Sequence, residues 1–229
     1  RGPVRQEAGC VQIHLGSNSL LGADDPGVSA RRAHRHQGSA LREGRLPLWD
    51  PSIYSGVPFA ANIQAGLFYP PNWLLLASYS SSARLPFSAV ELLSILHVWL
   101  ACVFAYFWLR ERSASSLPAV FGACAAGLCG YMLSQMQHLG GTCGYAWIPF
   151  GLWGIEQAHW QANWRPLWKL AVAFAFCLLA GYPPTFAAFC LLALLYAASL
   201  PSRRRLVLPV MAAVITALAL CAVQLVPTI

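Results

Sequence analysis

WKLAVAFAFCLLAGYPPTFAAFCLLALLYAAS, residues 168–199, decides how this chain is threaded. A membrane-spanning helix needs about 20 apolar residues, and this run is much longer. Gly181-Tyr182-Pro183-Pro184 interrupts it near the middle. Two prolines remove backbone donors and clash with the preceding turn, so the run cannot be one straight helix. It is either one kinked, tilted helix or two short helices joined by a tip. The basic residues around it narrow the choice. Arg165 and Lys169 precede the run, Arg203, Arg204 and Arg205 follow it, and Arg110 and Arg112 sit in an earlier short loop. Short basic loops face the cytoplasm, which places all three on one side. A chain that leaves that side and returns to it crosses an even number of times. The GYPP tip therefore points outward, or the segment is re-entrant.

Four more apolar regions flank this one: roughly 86–109, 117–136, 143–156 and 206–225. The second, LPAVFGACAAGLCGYMLSQM, is rich in small residues that let helices approach closely. The composition agrees with a membrane protein: 57% hydrophobic, 10% charged, with a mean hydropathy of +0.52. The fold class expected is all-α, a polytopic transmembrane bundle of about 5–6 membrane segments in contact with lipid bilayer. The formal charge of +7 comes from fifteen basic residues, all Arg except Lys169. They lie in the first residues and in the short loops, where they orient helices, so nucleic acid is not the expected partner.

Parity places the remaining loops. The segment 137–145 and the end of the chain fall outside, with the GYPP tip. So does GRLPLWDPSIYSGVPFAANIQAGLFYPPNW, residues 44–73. Its prolines limit backbone freedom, and its aromatic side chains suit the headgroup zone. One reading is an interfacial belt that seals the bundle. The other is a binding shelf for a lipid-linked or carbohydrate substrate. Trp49, Tyr54 and Tyr69 would offer flat faces to a sugar ring, and Asp50, Asn62 and Gln64 polar contacts to its hydroxyls. Glu91 and His97, six residues apart, do not share a helix face. Glu91 is expected at interfacial water, and His97 as a neutral interhelical donor. Glu156 and His159 are expected to be cytoplasmic and solvated.

Residues 1–38 form a separate, irregular, Arg-rich arm, or text from an altered reading frame; 39–85 is the outer loop and 86–229 the bundle. Asp24-Asp25-Pro26-Gly27 in the arm reads first as a turn. The Cys residues lie mostly in apolar runs, as small hydrophobes. A Cys10–Cys143 disulfide is conceivable, and no CxxC suggests zinc.

Residues 44–73 resemble the first extracytoplasmic loop of the bacterial YfhO-type membrane proteins, which read approximately G-x-LPLWNP-x-x-x-x-G-x-P-F-x-x-N-x-Q-x-x-x-FYP. QHLGGTCGYAWIPFGLW (137–153) is similar to that family's H-x-G-x…aW-x-P segment, AGYPPTFA (180–187) to its G-H-P-Q-type break, and AVQLVPT (222–228) to its A-x-Q-L-x-P-T helix end. The resemblance covers roughly residues 39–229. Full-length members are several times longer, so the chain is expected to be an N-terminal piece. Three departures stand out. Asp50 replaces Asn in PLWNP. Tyr182 and Pro184 replace the His and Gln of the break. PGVSARRAHRHQGSA replaces an aromatic-Pro element before PLW.

The family is similar to GT-C integral-membrane glycosyltransferases. The resemblance implies a GT-C-like bundle in the bacterial cytoplasmic (inner) membrane, with its active site on the outer face. The donor would be a polyprenyl-phosphate-linked sugar and the acceptor a cell-envelope glycan or polymer. Asp24 and Asp25, at about the expected distance before PLW, are the implied candidates for the catalytic base. Trp49, Asp50, Tyr54, Asn62, Gln64, Tyr69, His138 and Tyr182 are the candidates for substrate binding. No cofactor is specified, and a divalent metal is left open; His138 has no partner at ligand spacing. A lipid or glycan transporter or flippase, with a broken helix at its site, is the alternative, followed by a scaffold without chemistry.

Overall fold

The computed structural model describes residues 40, 46–50, 56–77, 87–112 and 115–228. Asp24, Asp25, Tyr54, Cys10 and the whole arm 1–38 lie outside the described residues. Within them the chain is all helical. The only β-type pairing is an isolated antiparallel bridge between Asp50 and Val57.

The helices are α1 (Pro70–Ala77), α2 (Phe87–Glu111), α3 (Ser116–Gly127), α4 (Gly130–Ser134), α5 (Leu139–Ala146), α6 (Ile148–Trp160), α7 (Trp168–Leu179), α8 (Pro183–Ser199), α9 (Arg203–Leu220) and α10 (Ala222–Leu225). The 168–199 run resolves into two helices rather than one kinked helix. Gly181 takes the left-handed conformation, φ 87°, just past the end of α7, and its N–H closes that end on the Leu178 carbonyl. Pro183 and Pro184 then open α8 in the first turn, where no intrahelical donor is required. α7 and α8 form an antiparallel hairpin with the tip at Gly181-Tyr182.

Two helical stretches are long and apolar enough to cross a membrane, Ser88–Glu111 and Ser116–Ser134. Their most apolar windows are only 28% and 22% buried inside the protein, so they are not ordinary core helices. The side-chain sizes point the same way. On α3 the inward face is Ala119, Ala123 and Gly127, and on α8 it includes Ala193 and Ala197. Leu92, Phe121, Leu191 and Leu208 face outward. The small inward residues allow close contact: a Cβ on Gly127 would lie 2.1 Å from the Cys102 sulfur.

The bundle has two chemically distinct ends. At one end Arg112, after α2, meets Tyr196 near the end of α8 and Glu156 near the end of α6. Lys169 at the start of α7 and Ser202 before α9 lie there too, bonded to Gln157 and His159. The three basic turns thus share one end, as their sequence positions require. The motif-bearing loops share the other.

Four expectations are corrected. Residues 137–145 are not a loop: Leu139–Ala146 is helical and largely buried, so α5 and α6 extend the short apolar region 143–156 in both directions. Glu156 is not solvated; it is 2% exposed. Its carboxylate accepts from the Trp160 indole and the Tyr196 hydroxyl, and Arg112 lies 3.7 Å away. A buried carboxylate needs such partners, and the aromatic ring of donors supplies them. Hydrogen bonding to Tyr196, then the field of Tyr196 and Glu156, raises Arg112 above the usual arginine range, so it stays charged. His159 is half-buried on Ser202 rather than free in solvent. Cys143 is a free, buried thiol.

Candidate functional site

The loop 56–77 is built from short turns that its own side chains hold. Val57 pairs with Asp50, and two 3-10 turns follow, Phe59–Ala61 and Ile63–Ala65. The Asn62 side chain caps the second by accepting from the Gln64 N–H at 3.0 Å. Gly66, φ 57°, turns the chain, and the Asn72 amide donates to its carbonyl at 3.0 Å. The Trp73 indole donates to the Leu67 carbonyl, also at 3.0 Å. Pro70 and Pro71 then start α1.

Tyr69 leaves this loop and enters the bundle. It is fully buried, with its ring edge-on to Phe176. Its hydroxyl lies 2.7 Å from His97 Nε2 and 2.8 Å from Trp147 Nε1. An indole N–H can only donate, so the Tyr69 oxygen accepts from Trp147. Its own proton then points to His97 Nε2, which must be unprotonated. His97 Nδ1 is 2.7 Å from the Leu93 carbonyl and carries the remaining proton. The network assigns His97 as the neutral Nδ1–H tautomer. The chain Trp147→Tyr69→His97→Leu93 is complete, with each donor meeting one acceptor. It ties loop, α2 and the α5–α6 junction together. Tyr69 is therefore an internal strut, which corrects its placement on the aromatic shelf. Asp50, paired through its backbone to Val57, is also buried, at 1% exposed.

A three-way backbone contact fixes the loop on the α7–α8 tip. A Cβ at Gly181 would lie 2.3 Å from the Ile63 carbonyl, and one at Gly140 would lie 2.5 Å from the Ala180 carbonyl. Only glycine permits both approaches. Nearby, the Gln224 amide donates to the Ala60 carbonyl at 3.1 Å, so the AVQLVPT helix end joins the same assembly.

The other predicted residues lie on or near the surface of this end. Trp49 is 55% exposed, with its indole laid over Gly56. Asn62 and Gln64 are exposed. His138 precedes α5, and its ring stacks on Tyr182 at the hairpin tip, with centroids 5.9 Å apart and 27° between planes. Beside them Tyr131 and Thr185 share a 2.7 Å hydrogen bond. His138 and Tyr182, 44 positions apart by their numbers, are thus brought together. Asn62 and Gln64 lie on the loop that docks against the same tip.

Sequence reasoning missed Trp147, Asn72, Gln135, Tyr131 and Thr185. The Asn72 and Gln135 side-chain oxygens are buried and lack a hydrogen-bond partner among the described residues. The AW dipeptide and the GYPPT run carried Trp147 and Thr185 in plain view, but nothing local reveals which ring or hydroxyl each meets. Among the described residues this end offers aromatic faces, amide and hydroxyl groups, and no cluster of charged side chains. No group of three or more His, Cys, Asp or Glu able to hold a metal forms among the described residues. No family model, no curated protein and no solved structure matches the chain.

Proposed function

We propose that this is a polytopic, YfhO-type, GT-C-like glycosyltransferase of the bacterial inner membrane. It uses a polyprenyl-phosphate sugar at the extracytoplasmic face and passes the sugar to an envelope glycan or polymer. One observation carries the reading. The four quoted motif segments, distant in sequence, converge on one end of the bundle, while the arginine-bearing turns occupy the other. Six helical stretches, α2, α3–α4, α5–α6, α7, α8 and α9, with the short α1 and α10 left out, would then be the membrane segments.

In this reading the acceptor hydroxyl attacks the anomeric carbon. The new C–O bond forms as the bond to the lipid phosphate breaks, and polyprenyl phosphate departs. The hydroxyl proton passes to the carboxylate of Asp24 or Asp25, which acts as general base. Trp49, Asn62, Gln64, His138 and Tyr182 contribute the sugar-facing surface.

The test supplies radiolabelled polyprenyl-phosphate sugar and acceptor to membranes containing the chain or its Asp24→Asn/Asp25→Asn variant. Transfer that the variant loses supports the reading. Movement of lipid across sealed vesicles without transfer overturns it in favour of a flippase. Binding with neither leaves a scaffold.

A further inference from the structure

The arginine end carries a surface that none of the sugar chemistry uses. Arg203, Arg204 and Arg205 open α9, and the turn Arg165–Leu167 packs against that helix through the core shared by Leu167 and Leu206. The His159–Ser202 hydrogen bond, 2.7 Å, pins the end of α6 beside them. Arg165, Arg203, Arg204 and Arg205 are exposed, and none forms an ion pair among the described residues. The two nearby carboxylates are already engaged, Glu156 as described and Glu111 by the Trp153 indole and Gln157 amide. Trp164, next to Arg165 in the chain, is exposed as well.

Below the arginines, the outward side of α9 is apolar. Arg204, Leu208, Met211, Ile215 and Leu218 recur every three or four residues, opposite the buried Leu206, Val210, Ala213 and Ala217. From Arg204 to Ile215 this stripe is roughly 16 Å long at 1.5 Å per residue. Half of the bilayer's hydrocarbon is about 15 Å thick. A cationic cap above an apolar stripe of one leaflet's depth matches the headgroup and one chain of a lipid.

We propose that this corner binds an anionic phospholipid of the cytoplasmic leaflet. Its phosphate lies at the Arg203–Arg205 end of α9, where Arg204 continues the outward face, and one acyl chain runs along Leu208, Met211 and Ile215. An acidic peptide or free phosphate would satisfy the guanidinium groups and leave the stripe bare, which is why a lipid is favoured. The proposal rests on the membrane reading and is independent of sugar transfer.

The full chain is reconstituted in nanodiscs of equal phosphatidylglycerol and phosphatidylcholine, then released into mild detergent. The co-purifying lipids are counted by native mass spectrometry. Each arginine near an anionic surface contributes on the order of a fivefold preference. Wild-type protein is expected to retain phosphatidylglycerol severalfold over phosphatidylcholine. Arg203→Gln/Arg204→Gln/Arg205→Gln should bring the ratio near one, and the triple Lys variant should keep most of the preference. A second measurement uses wild-type protein alone: at about 1 M salt, where the screening length is about 3 Å, the preference should fall. A ratio near one in wild type, or a preference unmoved by both salt and the Gln substitutions, overturns the proposal. Competition by glycerol phosphate as strong as by the whole lipid also overturns it. Extraction of the chain by alkaline carbonate, measured separately, would instead remove the membrane reading itself.

Discussion

Tyr69→Phe isolates the contribution of one buried hydroxyl. The ring stays in its pocket against Phe176, Leu75, Leu93 and Leu139, so no large cavity forms. Two hydrogen bonds disappear, to His97 Nε2 and from Trp147 Nε1. His97 remains fully buried as an acceptor and Trp147 partly buried as a donor, separated by the space the oxygen held. In a dry protein core each orphaned group costs about 1–3 kcal/mol, giving about 2–6 together. Hydrogen bonds between membrane helices average about 0.6 kcal/mol by double-mutant cycles, giving about 1. Tyr69 and His97 are fully buried and Trp147 partly so, and the expected loss lies between, about 1–4 kcal/mol. Equilibrium unfolding in mixed micelles of increasing SDS measures it. Trp147→Phe and the double variant complete a cycle, and shared loss of the same bond should give a coupling of at least about 0.5 kcal/mol. A Tyr69→Phe cost below about 0.5 kcal/mol, the range of neutral surface changes, together with additive singles, would refute the strut.

Gly181→Ala should destabilise severely, because it puts a Cβ 2.3 Å from the Ile63 carbonyl at φ 87°; Gly130→Ala, with nothing within 4 Å, should be neutral or slightly stabilising in the same unfolding assay. Glu156→Ala should cost about 1–3 kcal/mol, by emptying a buried position and taking the acceptor from the half-buried Tyr196 hydroxyl. Arg112→Gln, at a side chain 52% exposed, should cost at most about 1 kcal/mol, so equal losses would contradict the assigned hub. Single cysteines placed at Tyr182 and at Arg204 in a cysteine-free background should label from opposite sides of sealed spheroplasts, and labelling from the same side would overturn the threading.

Much of the fold was legible because its signals are local. Gly181 and two prolines mark the end of α7 and the start of α8 wherever they occur, and runs of apolar residues bracketed by arginine set the alternation of the helices. The small-residue face of α3 was equally visible, since Ala119, Ala123 and Gly127 recur at every fourth position. Residues 137–145 misled because Gly140, Gly141 and Gly144 read as loop. In the structure those glycines are helical and serve close packing, against Ala180 and Cys177. Glu156 misled because a lone carboxylate beside basic turns reads as solvated, and only the arrival of Tyr196, forty positions on by its number, buries it with a partner.

The amino-acid order alone marked the apolar runs, the break at Gly181-Tyr182-Pro183-Pro184 and the basic turns, because propensity, proline stereochemistry and charge placement act over a few residues. Tertiary structure alone decided that Tyr69 is a strut and Trp49 a surface ring, that His138 stacks on Tyr182, and that Glu156 is buried. Each of these depends on which side chain arrives from another helix, and hydrogen bonds of 3 Å reach leave no trace in the spacing of residues so far apart along the chain.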